Sequence, residues 1–201
     1  MEFILTALTA LGCYLVGSIP TAVIAARLAG APDPRTVGTR NAGSTNVALT
    51  AGPLAGVGVL VVDLAKGVGC ALVGRAIAGE LAADLCAAAA VTGQILPVFA
   101  GFRGGKGAAT TLGGYLGLAP ALALFGLAVW GSGLVVLRRF VVSTVSAITA
   151  LAVVALLSGA HPLYALAALG LTLYAHRRDL AAFRRGELPT IRTALRDNRP
   201  R

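Results

Sequence analysis

The sequence predicts an all-α membrane protein: a polytopic bundle of about seven transmembrane helices, with the N-terminus outside and the C-terminus in the cytoplasm. Hydrophobic residues make up 57% of the 201 residues and charged residues 12%, whereas soluble domains carry about 25% charged residues. Mean hydropathy is +0.82. The apolar residues form successive segments separated by short basic loops. We divide the chain into a transmembrane domain at 1–175 and a basic cytoplasmic tail at 176–201.

The apolar segments define the predicted helices. In chain order they cover 3–28, 53–78, 81–100, 108–118, 121–137, 141–157 and 162–175. Pro20 should kink the first helix, because proline lacks a backbone N–H and clashes with the preceding turn. The segment at 108–118 is too short to cross a bilayer straight, so we expect it to be re-entrant or joined to its loop.

The charges predict the orientation. Basic residues occupy alternate loops; they are Arg35, Arg40, Arg103, Lys106, Arg138 and Arg139. The tail after residue 175 has eight arginines and three acids, whereas the opposite side carries Glu2 and Glu80. The positive-inside rule therefore puts the basic loops in the cytoplasm. The basic loops and tail account for the net charge of +9. Because membrane orientation explains these charges, we expect no nucleic-acid partner.

The segment 101–111, read as GFRGGKGAATT, is the strongest candidate for chemistry. Glycines allow successive backbone N–H groups to converge on one point. The following helix start adds unpaired N–H groups and a partial positive charge, and Arg103 and Lys106 add full charges. These features predict an anion site suited to phosphate. It is not a Walker A loop, because Gly107 follows Lys106. A turn whose cations only mark the cytoplasmic side remains the alternative.

A second polar segment, 38–46, is dense in hydroxyls and amides. Ser44 or Thr45 could cap the next helix, but capping does not account for Arg40, Asn41 and Asn46. We therefore interpret the segment as a ligand-binding loop. The predicted orientation places Gln94 and His176 on the same side of the membrane as this loop. This convergence predicts a phosphorylated ligand taken from the cytosol.

The second and third predicted helices contain four charged residues, and three cysteines also lie within the predicted helices. Asp63 and Lys66 are three residues apart on one helix face, so they form either a structural ion pair or a pair that positions a site. Arg75 and Asp84, near the outer surface, are expected either to pair or to extend their polar ends to the interface, in a structural role. The three cysteines, Cys13, Cys70 and Cys86, show no metal or redox spacing. We expect neither a metal nor a cofactor.

Five segments resemble the bacterial membrane acyltransferases that move a fatty acyl group from acyl phosphate to glycerol 3-phosphate. The segments are 17–21 (GSIPT), 39–46 (TRNAGSTN), 63–67 (DLAKG), 93–110 (from GQ to GGKGAAT) and 176–187 (HRRDL to RGE). They occur in the family's order and span nearly the whole chain. The resemblance implies a multi-pass protein of the bacterial plasma membrane, with its active site on the cytoplasmic side.

The resemblance also implies partners and roles. The partners would be acyl phosphate, glycerol 3-phosphate and membrane lipids, and the products lysophosphatidic acid and phosphate. Four residues would be catalytic: Thr39, Asn41, Lys106 and His176. The implied substrate contacts are Arg40, Gly43, Thr45, Asn46, Gln94, Arg103, Gly104, Gly105, Gly107, Ser143 and Asp179. The family is thought to use no dedicated protein base, and the sequence contains no Ser-His-Asp set or His-x4-Asp motif.

The sequence departs from the family pattern at several of these positions. Thr39 replaces serine, Arg40 glycine, Leu49 arginine, Gln94 histidine and Asp179 asparagine; Ser143 matches only after a one-residue shift. These departures leave open a divergent, non-catalytic family member. A small transporter for an anionic metabolite is the other alternative, although such a protein would favour charges along several spans.

Overall fold

The computed structural model describes residues 1–188, which form helices and connecting loops without a strand among them. The helices are α1 (Glu2–Gly17), α2 (Thr21–Leu28), α3 (Ser44–Ala51), α4 (Pro53–Ile95), α5 (Ala108–Leu118), α6 (Pro120–Leu137), α7 (Phe140–Ser158) and α8 (Pro162–Arg184), with a 3-10 turn at Val98–Ala100. The all-α prediction is confirmed. Residues 189–201, most of the predicted tail, lie outside the described part of the chain.

The first predicted span is broken where Pro20 was expected to kink it. Helix α1 ends at Gly17, and α2 begins at Thr21. Gly17 packs so closely on α4 that a Cβ there would collide with the carbonyl oxygen of Ala90. The break frees the carbonyl of Ile19, which accepts a hydrogen bond from the Lys66 ammonium at 2.7 Å. The kink thus contributes a polar group to the centre of the bundle.

Helix α4 contains the second and third predicted spans. Its backbone leaves helical geometry at Ala78 (φ −147°, ψ 24°) and Gly79 (φ 81°, ψ −166°), and the positive φ suits glycine. The two halves, 53–77 and 80–95, turn back on each other there, since a Cβ on Gly74 would lie 2.6 Å from the Ala82 carbonyl oxygen. The two spans are therefore separate, with almost no loop between them.

The two halves of α4 form the centre of the bundle, and α1, α5 and α8 pack against them. The α4–α5 contact uses glycines on both helices: Gly67 faces the Thr110 carbonyl, and Gly113 faces the Leu64 carbonyl. Small residues allow such close approach between membrane helices. Tyr115 and Tyr164 meet edge to face, with ring centroids 4.9 Å apart, in the core between α5 and α8.

Within residues 1–188, four segments are long and apolar enough to cross a membrane: Glu2–Leu28, Pro53–Ala100, Pro120–Leu137 and Phe140–Ser158. The second of these contains both halves of α4. Helix α5 has 11 residues, which confirms the short segment predicted at 108–118. The number of crossings and the side of each terminus remain predictions.

Three expectations need correction. Helix α3 lies inside the predicted polar loop, and Gly43, not Ser44 or Thr45, is its N-cap. The last predicted helix, 162–175, is longer than expected, because α8 continues to Arg184. Arg75 bonds to Glu80 at 2.7 Å instead of Asp84, because the turn at Gly79 brings Glu80 back over it. Asp84 instead contacts His161 at 2.6 Å.

Candidate active site

Asn46 organises the first polar loop from its interior. Its side chain is 1% exposed, and its oxygen accepts the Thr39 backbone N–H at 2.8 Å. The two N–H groups of its nitrogen are shared among three backbone carbonyls, those of Pro34 at 2.6 Å, Val37 at 3.0 Å and Asn41 at 3.1 Å. Each of these side-chain hydrogen bonds thus has a backbone partner in the loop. Asn46 therefore shapes the predicted site, while Thr39 and Arg40 lie exposed on the loop surface.

The glycine segment lies directly against this loop. The Gly105 N–H donates to the Gln94 carbonyl at 3.1 Å, and a Cβ on Gly105 would lie 2.5 Å from the Ala42 carbonyl oxygen. Arg35, just before the segment 38–46, donates from its guanidinium to the carbonyl of Ala100, just before the glycine segment, at 3.1 Å. The structure therefore brings together the two loops that the sequence singled out.

Arg35 is a linking residue that the sequence analysis assigned only to membrane orientation. It forms an ion pair with Asp33 at 2.7 Å. The guanidinium, as hydrogen-bond donor and as charge, holds the pKa of the Asp33 carboxyl below its usual value. The two-residue spacing of Asp33 and Arg35 was the available sequence signal for their ion pair. The contact of Arg35 to Ala100 depends on the fold and has no such signal.

Two helix starts lie beside the contact between these loops. Helix α3 follows Gly43, and α5 follows Gly107, whose φ is 75°. Within the described chain, neither start is capped by a side-chain hydrogen bond. The first N–H groups of a helix lack intrahelical partners and carry a partial positive charge. The arrangement can therefore bind an anion such as phosphate.

Lys106, Asp179 and His176 are the ionisable residues of the site. The Lys106 ammonium contacts the Asp179 carboxylate at 2.6 Å, and both side chains are 26% exposed. His176 lies one turn before Asp179 on α8 and is 2% exposed. Because a carbonyl oxygen only accepts, the 3.0 Å contact between His176 Nδ1 and the Thr172 carbonyl places the proton on Nδ1. Nε2 is then available as an acceptor.

Burial and the charge of Lys106 lower the pKa of His176, and the bond to Thr172 and the charge of Asp179 only partly oppose them. The ring is therefore neutral near pH 7. His176 follows the last predicted span, 162–175, and lies on the part of α8 that also carries the arginines of that helix. Thr172 is a residue that the sequence analysis missed; its position four before His176 on one helix was the available signal.

Gln94 belongs to a buried polar network behind the glycine segment. Its side-chain oxygen accepts from the Lys66 ammonium at 2.8 Å, and its nitrogen donates to Asp63 at 2.8 Å. Lys66 and Asp63 are 2.9 Å apart, each with a side chain 4% exposed. The predicted pair on one helix face is confirmed. The amide of Gln94 is committed to this pair, so its support of the site passes through the backbone carbonyl that holds Gly105.

The remaining predicted contacts lie around these groups. Gly104 packs against the Gln94 carbonyl and Gly107 against Ile95. Arg103 and Thr45 are exposed. Ser143 is buried in the first turn of α7, where its hydroxyl donates to the Arg139 carbonyl at 3.0 Å. Among the described residues, Ser143 makes no hydrogen bond to the rest of the site, so the structure does not join it to the others directly.

A small cavity of about 10 Å³ lies under the glycine segment. It is bordered by Ile19, Thr21, Ala42, Gln94, Arg103 and Gly105, among other residues. This volume suits about one water molecule. A phosphate does not fit this volume, so it would have to lie outside the cavity, near the uncapped helix starts and Lys106.

This geometry defines a class of protein: an integral membrane protein with a candidate anion site where two loops meet two helix starts. A model of the glycerol-3-phosphate acyltransferase family matches residues 7–186. The chain belongs to this family and is therefore a membrane acyltransferase of phospholipid synthesis.

Individual relatives agree with this assignment. Glycerol-3-phosphate acyltransferase of Jannaschia sp. (strain CCS1) is 38% identical over 190 residues, covering 94% of each chain. The enzyme of Thioalkalivibrio sulfidiphilus is 41% identical over 190 residues, covering 90% of this chain and 91% of the relative. The crystal structure of PlsY (YgiH), an integral membrane glycerol 3-phosphate acyltransferase, in its glycerol 3-phosphate form has a TM-score of 0.87 at 30% identity. That match covers 92% of this chain and 95% of the PlsY chain.

Proposed function

We propose that this protein transfers a fatty acyl group from acyl phosphate to glycerol 3-phosphate, giving lysophosphatidic acid and inorganic phosphate. The family assignment supports the acceptor, and the related PlsY has been described in a glycerol 3-phosphate form and a lysophosphatidic acid form. The enzyme would cross the bacterial plasma membrane about seven times, with the basic loops and the site on the cytoplasmic side.

The observation that carries this proposal is the ion pair between Lys106 and Asp179, which lies beside the buried His176. Lys106 is positioned directly before the start of α5. A phosphate that reaches Lys106 also meets the free N–H groups at the starts of α5 and α3. Lys106 would bind the phosphate of glycerol 3-phosphate, and the N–H groups at the helix starts would stabilise negative charge on the departing phosphate. Catalysis would then rest on positioning and electrostatic stabilisation.

In the proposed step, the glycerol hydroxyl oxygen attacks the acyl carbonyl carbon. A new C–O ester bond forms, the bond from the carbonyl carbon to the phosphate oxygen breaks, and its electron pair leaves with phosphate. The hydroxyl proton passes to a phosphate oxygen. His176 Nε2 would accept a hydrogen bond from a substrate hydroxyl, while Thr39 and Asn41 orient the acceptor. Of the remaining predicted contacts, the exposed Arg40, Thr45 and Arg103 would meet the substrates. Asn46 and Gln94 would act by holding the two loops in place.

The test is acyl transfer by the purified protein in detergent. Labelled glycerol 3-phosphate is offered with palmitoyl phosphate or, in a parallel reaction, with palmitoyl-CoA. We expect lysophosphatidic acid from palmitoyl phosphate only, and loss of product in Lys106→Ala. Arg178→Ala is the matched control, because Arg178 is an exposed cation on α8 outside the proposed site, and it should retain activity.

Two other outcomes would revise the proposal. Equal product from palmitoyl-CoA would contradict the acyl-phosphate donor. Absence of product with retained binding of glycerol 3-phosphate would identify a non-catalytic family member, in agreement with the departures at Leu49, Gln94 and Asp179.

A further inference from the structure

Asp63, Lys66 and Gln94 form a closed ring of hydrogen bonds between the two halves of α4. The Lys66 ammonium donates to one Asp63 oxygen at 2.9 Å and to the Gln94 side-chain oxygen at 2.8 Å. The Gln94 nitrogen donates to the other Asp63 oxygen at 2.8 Å. Each member of the ring is bonded to the two others, so the ring fixes the orientation of the Gln94 side chain at the end of α4.

The ring extends to the break between α1 and α2. An ammonium group has three N–H donors, and the third donor of Lys66 bonds to the Ile19 carbonyl at 2.7 Å. The three side chains of the ring are buried, and every donor of the ammonium has a protein partner. Lys66 therefore ties the end of α4 to the first half of that helix and to the α1–α2 break.

The backbone carbonyl of Gln94 is the point where the glycine segment contacts α4. The helix ends at Ile95, so this carbonyl belongs to the last turn, whose carbonyls lack intrahelical partners. The Gly105 N–H donates to it at 3.1 Å, and a Cβ on Gly104 would collide with the same oxygen. The place of the glycine segment therefore depends on where the Gln94 carbonyl lies.

Stability alone does not account for an ion pair in the interior of this bundle. Taking two charges out of water costs free energy that their attraction often fails to offset, and apolar residues frequently give equal or greater stability. Ionisable residues inside membrane proteins are rare and typically mark a functional region. The bonds of this pair lead through Gln94 to the glycine segment, and apolar residues could not replace those bonds.

We propose that Asp63 and Lys66 are positioning residues for acyl transfer: through the Gln94 side chain they hold the Gln94 carbonyl, and with it Gly105 and the start of α5, in the arrangement that the reaction requires. This inference rests on the acyl-phosphate activity proposed above, and it selects one of the two interpretations that the sequence left open for the pair. It predicts that loss of the ring lowers the rate of transfer even where the bundle remains folded.

Three variants remove bonds of the ring without leaving an unpaired charge. Asp63→Leu/Lys66→Met replaces the pair with apolar residues of similar shape, Gln94→Met removes the amide and keeps the pair, and a triple variant combines them. Should the double variant fail to fold, Asp63→Asn is the milder change. Its amide keeps the size of the side chain and places an N–H donor opposite the Gln94 nitrogen, so it should lower kcat in the same way.

Asp84→Leu is the matched control for the loss of a buried polar contact. Asp84 is buried on the same half of α4 as Gln94, and it contacts His161 at 2.6 Å and the Tyr164 N–H at 3.3 Å. It precedes Gln94 by about 15 Å along the helix at 1.5 Å per residue. The measurements are kcat and KM for acyl transfer, with melting temperature and gel filtration to confirm folding.

We expect kcat to fall by roughly tenfold to a hundredfold in all three ring variants, since a displacement of about 1 Å at a site can cost about a hundredfold. KM for glycerol 3-phosphate should change less, because the N–H groups at the start of α5 act on charge that develops in the transition state. The losses should not multiply in the triple variant, because residues that act through one another are not additive. Asp84→Leu should keep the wild-type kcat.

Three results would overturn the proposal. Wild-type kcat in the folded ring variants would leave the pair a purely structural one. An equal loss of kcat in Asp84→Leu would assign the effect to a general loss of stability. Losses that multiply in the triple variant would contradict an action of the pair through Gln94.

A second readout does not depend on turnover. Amide hydrogen exchange of residues 101–107, followed by mass spectrometry, reports on the Gly105 hydrogen bond directly. Exchange there should be roughly twofold to tenfold faster in Gln94→Met and in the double variant, as expected when a hydrogen bond is weakened, and unchanged in Asp84→Leu. Wild-type exchange in the folded ring variants would overturn the positioning role whatever acyl donor the protein uses. An inactive wild-type protein would contradict the donor proposed above without affecting this comparison.

Discussion

Asp179→Asn should strengthen the binding of glycerol 3-phosphate. The sequence analysis placed Asp179 among the substrate contacts, but its contact in the structure is the Lys106 ammonium at 2.6 Å. Under the proposed function, an incoming phosphate has to compete with this carboxylate for Lys106. The amide keeps nearly the same shape and removes the negative charge.

The size of the effect follows from the exposure of the pair. Two unit charges 4 Å apart interact by about 1 kcal/mol in water and about 4 kcal/mol at an effective dielectric constant of 20. Both side chains here are 26% exposed, which favours the lower part of that range, and exposed ion pairs contribute up to about 1 kcal/mol. Loss of the competitor and of its repulsion toward phosphate should therefore contribute about 1–2 kcal/mol. This free energy corresponds to an affinity about 5 to 30 times higher.

The assay is steady-state acyl transfer at saturating acyl phosphate, with isothermal titration of glycerol 3-phosphate as a direct measure of binding. We expect Kd and KM to fall together. Glu187→Gln is the matched control, because Glu187 bonds to Arg185 at 2.9 Å in an exposed pair away from Lys106. A higher Kd in Asp179→Asn, with Glu187→Gln unchanged, would refute the competition and would show instead that Asp179 holds Lys106 in its binding position.

Three further predictions concern the loops and His176. Asn46→Ala should lower the melting temperature and the activity, because it leaves buried loop carbonyls and an N–H without partners at about 1–3 kcal/mol per group; unchanged thermal unfolding would contradict the organising role of Asn46. Gly105→Ala should weaken phosphate binding without unfolding the bundle, since its Cβ would separate the glycine segment from the Ala42 carbonyl, 2.5 Å away; wild-type binding by titration would show that the two loops act separately. Because the pKa of His176 is lowered in the folded state, the folded protein takes up a proton at this ring less readily than the unfolded chain does. The free energy of unfolding is therefore at its full value above about pH 6.5 and decreases as the pH falls below that ordinary value. His176→Gln should therefore flatten the fall of melting temperature between about pH 7.5 and 5.5, and equal slopes would contradict the neutral, buried ring.

The sequence could predict the helices because each apolar segment is a local property of the chain. Helix α3 was missed because its eight residues, STNVALTA, are short and polar, and its start depends on the loop that Asn46 ties together. The pair of Arg75 and Glu80 was missed for a related reason. Residues five apart do not share a helix face, and the two meet only because the backbone reverses at Gly79.

The site was predictable in its composition but less so in its contacts. The glycine segment and the first loop stand out in the sequence because polar and glycine-rich loops are unusual beside membrane helices. The sequence does not show which polar groups are already bonded to the protein. Asn46 and Gln94 satisfy backbone or buried side-chain partners, and Lys106 pairs with a residue on α8, far away in the chain. Such long-range pairs follow from the packing of the helices.

The two lysines of this chain show how packing separates a structural cation from one that can bind substrate. Lys66 is almost fully enclosed and bonds to Asp63, Gln94 and the Ile19 carbonyl. A phosphate could reach it only by breaking this network, and a buried charge left without its partner costs about 3–5 kcal/mol. Lys106 bonds to a single carboxylate and is 26% exposed, so a phosphate oxygen can replace that carboxylate with water still present. Of these two cations, Lys106 is therefore the one that can exchange partners during a catalytic cycle, while Lys66 holds the helices that position it.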